Sequence, residues 1–458
     1  MTSNPAIAAL IAKIKTLSSQ ADSQLGAKKT FQAFLMPGLS ISPRDLEFAL
    51  EPTESNLTRD EALNMAANYA RLVNRIPHFS HCWSSTGGLL WNEYETILTQ
   101  AIVASSEPIP EEIEKFEKAR NFLYQRQEIT DLLGTRTAIV DSPFLSTYKQ
   151  YQEAYLQAEF EYNTLQQTAL DSTDPQVVQE WQLNKSIYQR RVDTARKNWI
   201  TKGYKNEVDK AFAFINQIGR RNPQLLWTKW REEFELFKLT DPENQDFYLT
   251  YFSPTHFYQP GAEQQWQQIT LNFSEGEIPS SGETDTSKEL LSGNGSSTAE
   301  QQADLLLSSL TVDLIQVQIM RPWMNPSIFE SRFWTWPDER EPLSNGKEPP
   351  QGTLPAYAIS IVVARNLNME LMPNSEQNAA VVQDIEAGNS VSWGPFFLKR
   401  ATLSGSNSIQ SAGMQIIAFV CQMLPKSPNP DSTLTYQRIY QRKGGYSDGQ
   451  QCSNGTNG

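Results

Sequence analysis

At 458 residues, 39% of them hydrophobic and 10% aromatic, the chain is long enough for two or three domains and too rich in large apolar side chains to remain disordered. A formal net charge of -13 argues for solubility and against a dedicated nucleic-acid binder, and three scattered cysteines, Cys82, Cys421 and Cys452, imply no disulfide framework. No apolar run approaches the ~18 residues of a spanning helix, and Lys13 and Lys15 interrupt the opening stretch where a signal peptide would need an unbroken apolar core, so the expected location is cytoplasmic, or exported without a cleavable signal.

The first half reads as helices. Asn4 and Pro5 open one, with Ile7, Leu10, Ile11, Ile14 and Leu17 at helical spacing. Thr58 to Glu61, TRDE, has the capping-box form and precedes Leu63, Ala66, Ala67, Ala70 and Val73 on one face. A third helix is expected over 89–104, and a fourth opens at Pro110, where Glu111 and Glu112 suit the positive end of the helix dipole.

Two longer elements follow. Tyr148, Tyr151, Tyr155, Ala158, Tyr162, Leu165 and Ala169 form a heptad seam, and after DSTD the run Val178, Trp181, Lys185, Tyr188, Val192, Ala195 and Trp199 repeats it with one polar break. So short a connection calls for an antiparallel hairpin. If its second helix continues through Gly203 to the Asn222-Pro223 break, it spans roughly 65 Å at 1.5 Å per residue, longer than a compact domain.

The period then changes. QITLNF at 268–273 alternates as a half-buried strand does, and further strand-like runs occupy 310–320, 357–367, 390–398 and 414–424. The expected fold class is therefore α+β. An elongated N-terminal α-helical bundle, 1–238, contains the long antiparallel helical hairpin at about 145–220, and a C-terminal antiparallel β domain, sandwich-like, covers 245–440. A flexible acidic Ser/Gly-rich insert is expected at 275–300 and a disordered tail at 444–458. Residues 239–300 hold 10 acidic and 1 basic side chain, so most of the excess acid sits there.

Catalytic motifs are wanting. IPHFSHCW at 76–83 groups His78, His81 and Cys82, which are weak metal candidates because no second ligand pair completes a tetrahedral zinc set. The competing reading is a structural turn with Phe79 and Trp83 buried between helices. GYSDG at 445–449 matches a nucleophile elbow in form, but no histidine follows His256. SNGK at 344–347 lacks the leading glycine of a phosphate loop. No catalytic or cofactor-binding residue is assigned.

Two features suggest surfaces instead. Between Lys185 and Arg231 lie 12 basic and 3 acidic residues, interleaved with tryptophans and tyrosines, a mixture suited to an anionic surface unless Glu111, Glu112, Glu114, Glu117, Glu153, Glu159 and Glu161 neutralise it internally. The stretch 321–338, RPWMNPSIFESRFWTWPD, crowds five aromatics between three prolines, as an aromatic anchor at a membrane interface, a ligand or protein contact, or a packed plug closing the end of a sheet would. The contact residues expected on this basis are Arg190, Arg191, Arg196, Lys197, Trp323, Phe329, Phe333, Trp334 and Trp336. The leading expectation is a non-enzymatic interaction or assembly protein, binding a protein partner or itself. The alternative is a soluble, membrane-active protein of the helical pore-forming kind acting on an anionic membrane surface, and the third a metal-dependent enzyme.

Overall fold

The computed structural model describes residues 5–22, 29–104, 110–172, 174–273, 301–303, 305–373, 375–398, 401–404 and 407–437. Over the described residues the chain is 42% helical and 30% strand, mixed around an antiparallel sheet. The expected insert at 275–300 and tail at 444–458, GYSDG included, lie outside the described residues.

The main sheet has eight strands: β1 (Thr30–Ile41), β2 (Tyr251–Ser253), β3 (Gln267–Asn272), β4 (Leu307–Met320), β5 (Ala356–Leu371), β6 (Thr402–Ser404), β7 (Ser408–Ser411) and β8 (Met414–Met423). Its central order is β1-β8-β5-β4-β3, with β2 extending the pairing of β4, β7 lying against β5, and β6 against β7. β1 pairs antiparallel with β8, from Thr30 opposite Gln422 to Ile41 opposite Met414, so an early segment completes a sheet whose other long strands come late. The sequence reading assigned no strand there. Met36, Pro37 and Gly38 interrupt its alternation, and the register shifts between Phe34 and Leu39.

Among the described residues, nine helices longer than a single turn are labelled in chain order: α1 (Pro5–Asp22), α2 (Arg59–Val73), α3 (Leu90–Gln100), α4 (Pro110–Leu123), α5 (Pro143–Asp171), α6 (Pro175–Thr201), α7 (Lys205–Arg221), α8 (Pro223–Leu236) and α9 (Glu376–Glu386). Their starts follow local chemistry. Thr58 caps α2 while the Glu61 carboxylate returns to accept from the Thr58 amide at 2.9 Å, closing the capping box. Proline occupies the first turn of α5, α6 and α8, where its missing N–H costs nothing, and Ser142, Asp174 and Asn222 cap these helices. Between α4 and α5 the polar hairpin Tyr124–Asp131 with Gly134–Asp141 was also absent from the sequence reading, since its first strand is mostly exposed and its second buries the adjacent pair Ala138 and Ile139 rather than alternate positions.

Two cores sandwich the sheet. One face, with Phe34, Leu314, Val362 and Val420, packs against Leu10 and Ile14 of α1, Phe160 of α5, and Trp393 and Phe396. The other, with Ile315, Val317, Ile361 and Phe419, packs against α2, α3, α8 and the 321–338 stretch. Burying these side chains supplies the main drive for folding.

The α5 and α6 side chains meet in antiparallel register. Tyr148 and Tyr155 approach Trp199 with ring centroids at 5.3 and 5.6 Å, and Tyr162 meets Trp181 at 5.4 Å. α6 does not continue through Gly203: it ends at Thr201, Tyr204 takes a left-handed φ of 53°, and α7 starts afresh. The 65 Å element is thus corrected to two shorter helices. A side chain at 203 would sit 2.6 Å from the Trp199 carbonyl and 2.9 Å from Tyr151, which is why the chain closes this corner with glycine.

Candidate functional surface

On α6 the seam residues Trp181, Tyr188, Val192 and Trp199 turn toward α5, and helical periodicity sends the remainder outward. Leu183, Ile187, Arg190, Thr194 and Lys197, at steps of four and three, share one outward stripe. Leu183 is 70% exposed and Ile187 51%, large values for branched apolar side chains within a helix.

Four basic side chains were expected to serve contact, and they divide. Arg191 pairs with Glu161 of α5 at 3.1 Å and lies over the Tyr188 ring. Arg196 acts on Glu159, whose carboxyl burial pushes above the ordinary range against the lowering effects of the Tyr155 hydroxyl and of Arg196 itself. Arg190 and Lys197 are exposed, and among the described residues no carboxylate lies within ion-pair distance of either. Further along the basic band, Arg221 pairs with Glu112 at 3.3 Å and Lys229 with Glu117 at 3.1 Å. Internal neutralisation therefore covers part of the band and leaves the outward stripe of α6 cationic.

The aromatic stretch follows the packed alternative rather than the contact one. Trp323, Phe329, Phe333 and Trp334 are core side chains and are corrected as contact residues in this folded state. Trp323 stands edge-on to Tyr94 at 5.7 Å and donates its indole N–H to Thr250 at 3.3 Å. Phe333 stacks with Trp230, and the Trp334 indole donates to the Ile328 carbonyl at 2.8 Å. Trp336 is half-buried beneath the Arg340 guanidinium, 4.7 Å from its ring centroid. The prolines let the strap fold each ring inward, and Trp334 also pairs with Val103 in a small sheet.

IPHFSHCW joins Arg75–Pro77 to Ser85–Leu89 and lies along β1: the Phe34 amide donates to the His81 carbonyl, and the Trp83 amide to that of Phe34. His78 is exposed. Among the described residues no three His, Cys, Asp or Glu side chains are grouped to hold a metal ion. Phe79 packs on Phe31 and Trp83 stacks on Phe419 at 4.0 Å, both on sheet strands; the expected position between helices is corrected accordingly. SNGK is a turn in which Asn345 accepts the Lys347 amide at 2.9 Å.

Sequence reading passed over one further feature, a cavity of about 380 Å³ between α5 and the sheet, lined by Gln152, Gln316, Gln318, Arg321, Tyr357 and Gln422 among others. Its signal was present in LIQVQIM, where glutamines occupy alternate positions of the most hydrophobic strand. Among the described residues no helix is long and apolar enough to cross a membrane. Comparison with known protein families, curated proteins and solved structures finds no match to this chain.

Proposed function

We propose that this is a non-enzymatic interaction protein that docks an acidic protein partner on the outward stripe of α6. In this reading α5 and α6 form the long hairpin of an N-terminal helical bundle, 1–238, attached to the β domain, and work as a recognition arm. The observation that carries it is the juxtaposition of exposed Leu183 and Ile187 with Arg190 and Lys197, cations left without internal counter-ions among the described residues. An apolar centre flanked by cations fits an acidic amphipathic surface, with the charges steering encounter and the leucine and isoleucine contributing area. Isologous self-docking of this stripe would set like charges against each other, which favours a separate partner. The lipid-surface alternative loses support because Trp181 and Trp199, the rings suited to a headgroup layer, are buried in the seam.

The test uses an acidic amphipathic helical peptide of glutamate and leucine as probe, followed by fluorescence anisotropy. Salt-sensitive binding is expected, lost in Arg190→Glu/Lys197→Glu and weakened in Leu183→Ser/Ile187→Ser, with melting temperatures unchanged. Binding indifferent to the serine pair would mean simple ion exchange and overturn the reading. Sedimentation with anionic vesicles that the same charge reversals abolish would replace it with a membrane role, and a concentration-dependent dimer by light scattering with self-association.

A further inference from the structure

The sheet face toward α1 and α5 changes character along its length. Leu310, Val312 and Leu314 of β4 belong to that face's hydrocarbon core, but the next alternate positions are Gln316 and Gln318. Neighbouring strands change with them: Ser360 of β5 lies opposite Gln318, and Thr30 of β1 opposite Gln422 of β8. α5 passes over this end and contributes Gln152, leaving the cavity of about 380 Å³ between. That volume falls at the lower end of the roughly 300–1,000 Å³ found for small-molecule sites.

Arg321, immediately after β4, lines the cavity and is only 9% exposed. Its Nε donates to Asn74 Oδ1 at 2.5 Å and its Nη2 to the Val73 carbonyl at 2.9 Å, so part of the guanidinium closes the C-terminal end of α2, where a cation suits the helix dipole. The ring of Tyr357 lies 5.7 Å away. Those contacts explain two of the three nitrogens. Among the described residues Nη1 makes no hydrogen bond and no carboxylate forms an ion pair with the side chain, although a buried charge is costly to leave without a counter-ion. Burial lowers the Arg321 pKa to about 10, which keeps the group cationic at neutral pH.

A second polar atom in the same cavity lacks a partner. Gln316 Nε2 donates to Ser360 Oγ at 2.8 Å, but its Oε1 is buried with no hydrogen bond, an acceptor awaiting a donor. Met320, Met324 and Ile359 supply an apolar wall. We infer that this cavity is a binding site for a small organic carboxylate, its charged end received by Arg321 and its apolar body against the methionines and Ile359, with room for a hydroxyl or amide to reach Gln316. Arg321 is the one cation among the described lining residues, so a monoanion is matched and a dianionic phosphate would carry an uncompensated charge into the site.

The experiment is titration calorimetry of the full chain with 3-phenylpropanoate, decanoate, 3-phenylpropan-1-ol and inorganic phosphate, paired with thermal shift. Saturable binding of a carboxylate is expected, with the alcohol and phosphate much weaker. Because Arg321 also closes α2, the decisive variant is Gln318→Glu at the exposed rim: it places a like charge beside the ligand and should weaken carboxylate binding about tenfold or more without lowering the melting temperature. Gln316→Leu should weaken a hydroxylated carboxylate more than its parent. Failure of every carboxylate to bind, equal binding of the alcohol or phosphate, or indifference to Gln318→Glu in a folded variant would each overturn the inference.

Discussion

The 321–338 strap and α6 are both crowded with aromatic side chains, and they distribute them in different ways. The strap buries Trp323, Phe329, Phe333 and Trp334, against rings from α3, α8 and the 246–252 segment. α6 buries only its seam, Trp181 and Trp199, and holds Leu183 and Ile187 in solvent. An irregular, proline-punctuated segment can turn each large side chain to the same side, one residue at a time. A helix cannot: 3.6 residues per turn send part of its sequence outward whatever their chemistry. Aromatic density by itself is thus a signal of core, whereas large apolar residues at helical spacing on the face opposite a filled seam signal a surface held ready for contact.

The comparison breaks most visibly through stability. Trp323→Ala should cost about 3–5 kcal/mol, since it leaves a ring-sized void among Tyr94, Phe234 and Tyr248 and strips Thr250 of a donor. Urea unfolding measures this directly. Trp181→Ala, on a helix that packs along one side only, should cost clearly less; equal losses from the two would erase the distinction between strap and arm. The corner between α6 and α7 gives the next largest effect. Gly203→Ala would drive a methyl to within 2.9 Å of both the Trp199 ring and Tyr151, and should destabilise by about 1–3 kcal/mol as an overpacked contact. A neutral outcome would show that the corner opens easily and that the two helices are joined more loosely than their contacts indicate.

Much of the local architecture was legible in the sequence because it is encoded locally. Thr58 with Glu61, Pro175 after the DSTD connection and the Asn222-Pro223 break mark helix boundaries through chemistry within two or three positions, and the seam aromatics recur at helical spacing. What escaped was non-local. β1 is held as a strand by β8, nearly 400 residues downstream, and its own residues do not alternate. Gly203 was visible, but its effect depends on Tyr151 from another helix. The cavity was half legible: Gln316 and Gln318 stand out in their strand and Arg321 follows it directly, yet Thr30, Ser360 and Gln422 join them only through strand register, and the guanidinium is anchored by the end of α2. The aromatic strap was noticed for its composition, which fits a packed plug and a contact surface alike, because exposure is a property of the neighbours.

Charges inside and outside the α5–α6 pair give the smallest and sharpest contrast. Glu153 of α5 faces the sheet and accepts from the Ser253 hydroxyl at 3.2 Å; burial raises its pKa above the ordinary carboxylate range, and that hydrogen bond only partly counters it. A carboxyl whose folded pKa exceeds its unfolded value takes up protons more readily in the folded state, so its penalty is full above the folded pKa and is relieved as pH falls through that value toward the unfolded one. Glu153→Gln, which keeps an acceptor for Ser253 and cannot ionise, should therefore melt slightly higher than the wild type at pH 7, with the gain closing toward pH 4. Arg190→Gln, on the outward stripe, should shift the melting temperature little and by the same amount at both pH values. A Glu153→Gln gain that stays constant with pH would place that carboxylate in water, and with it the inner face of α5.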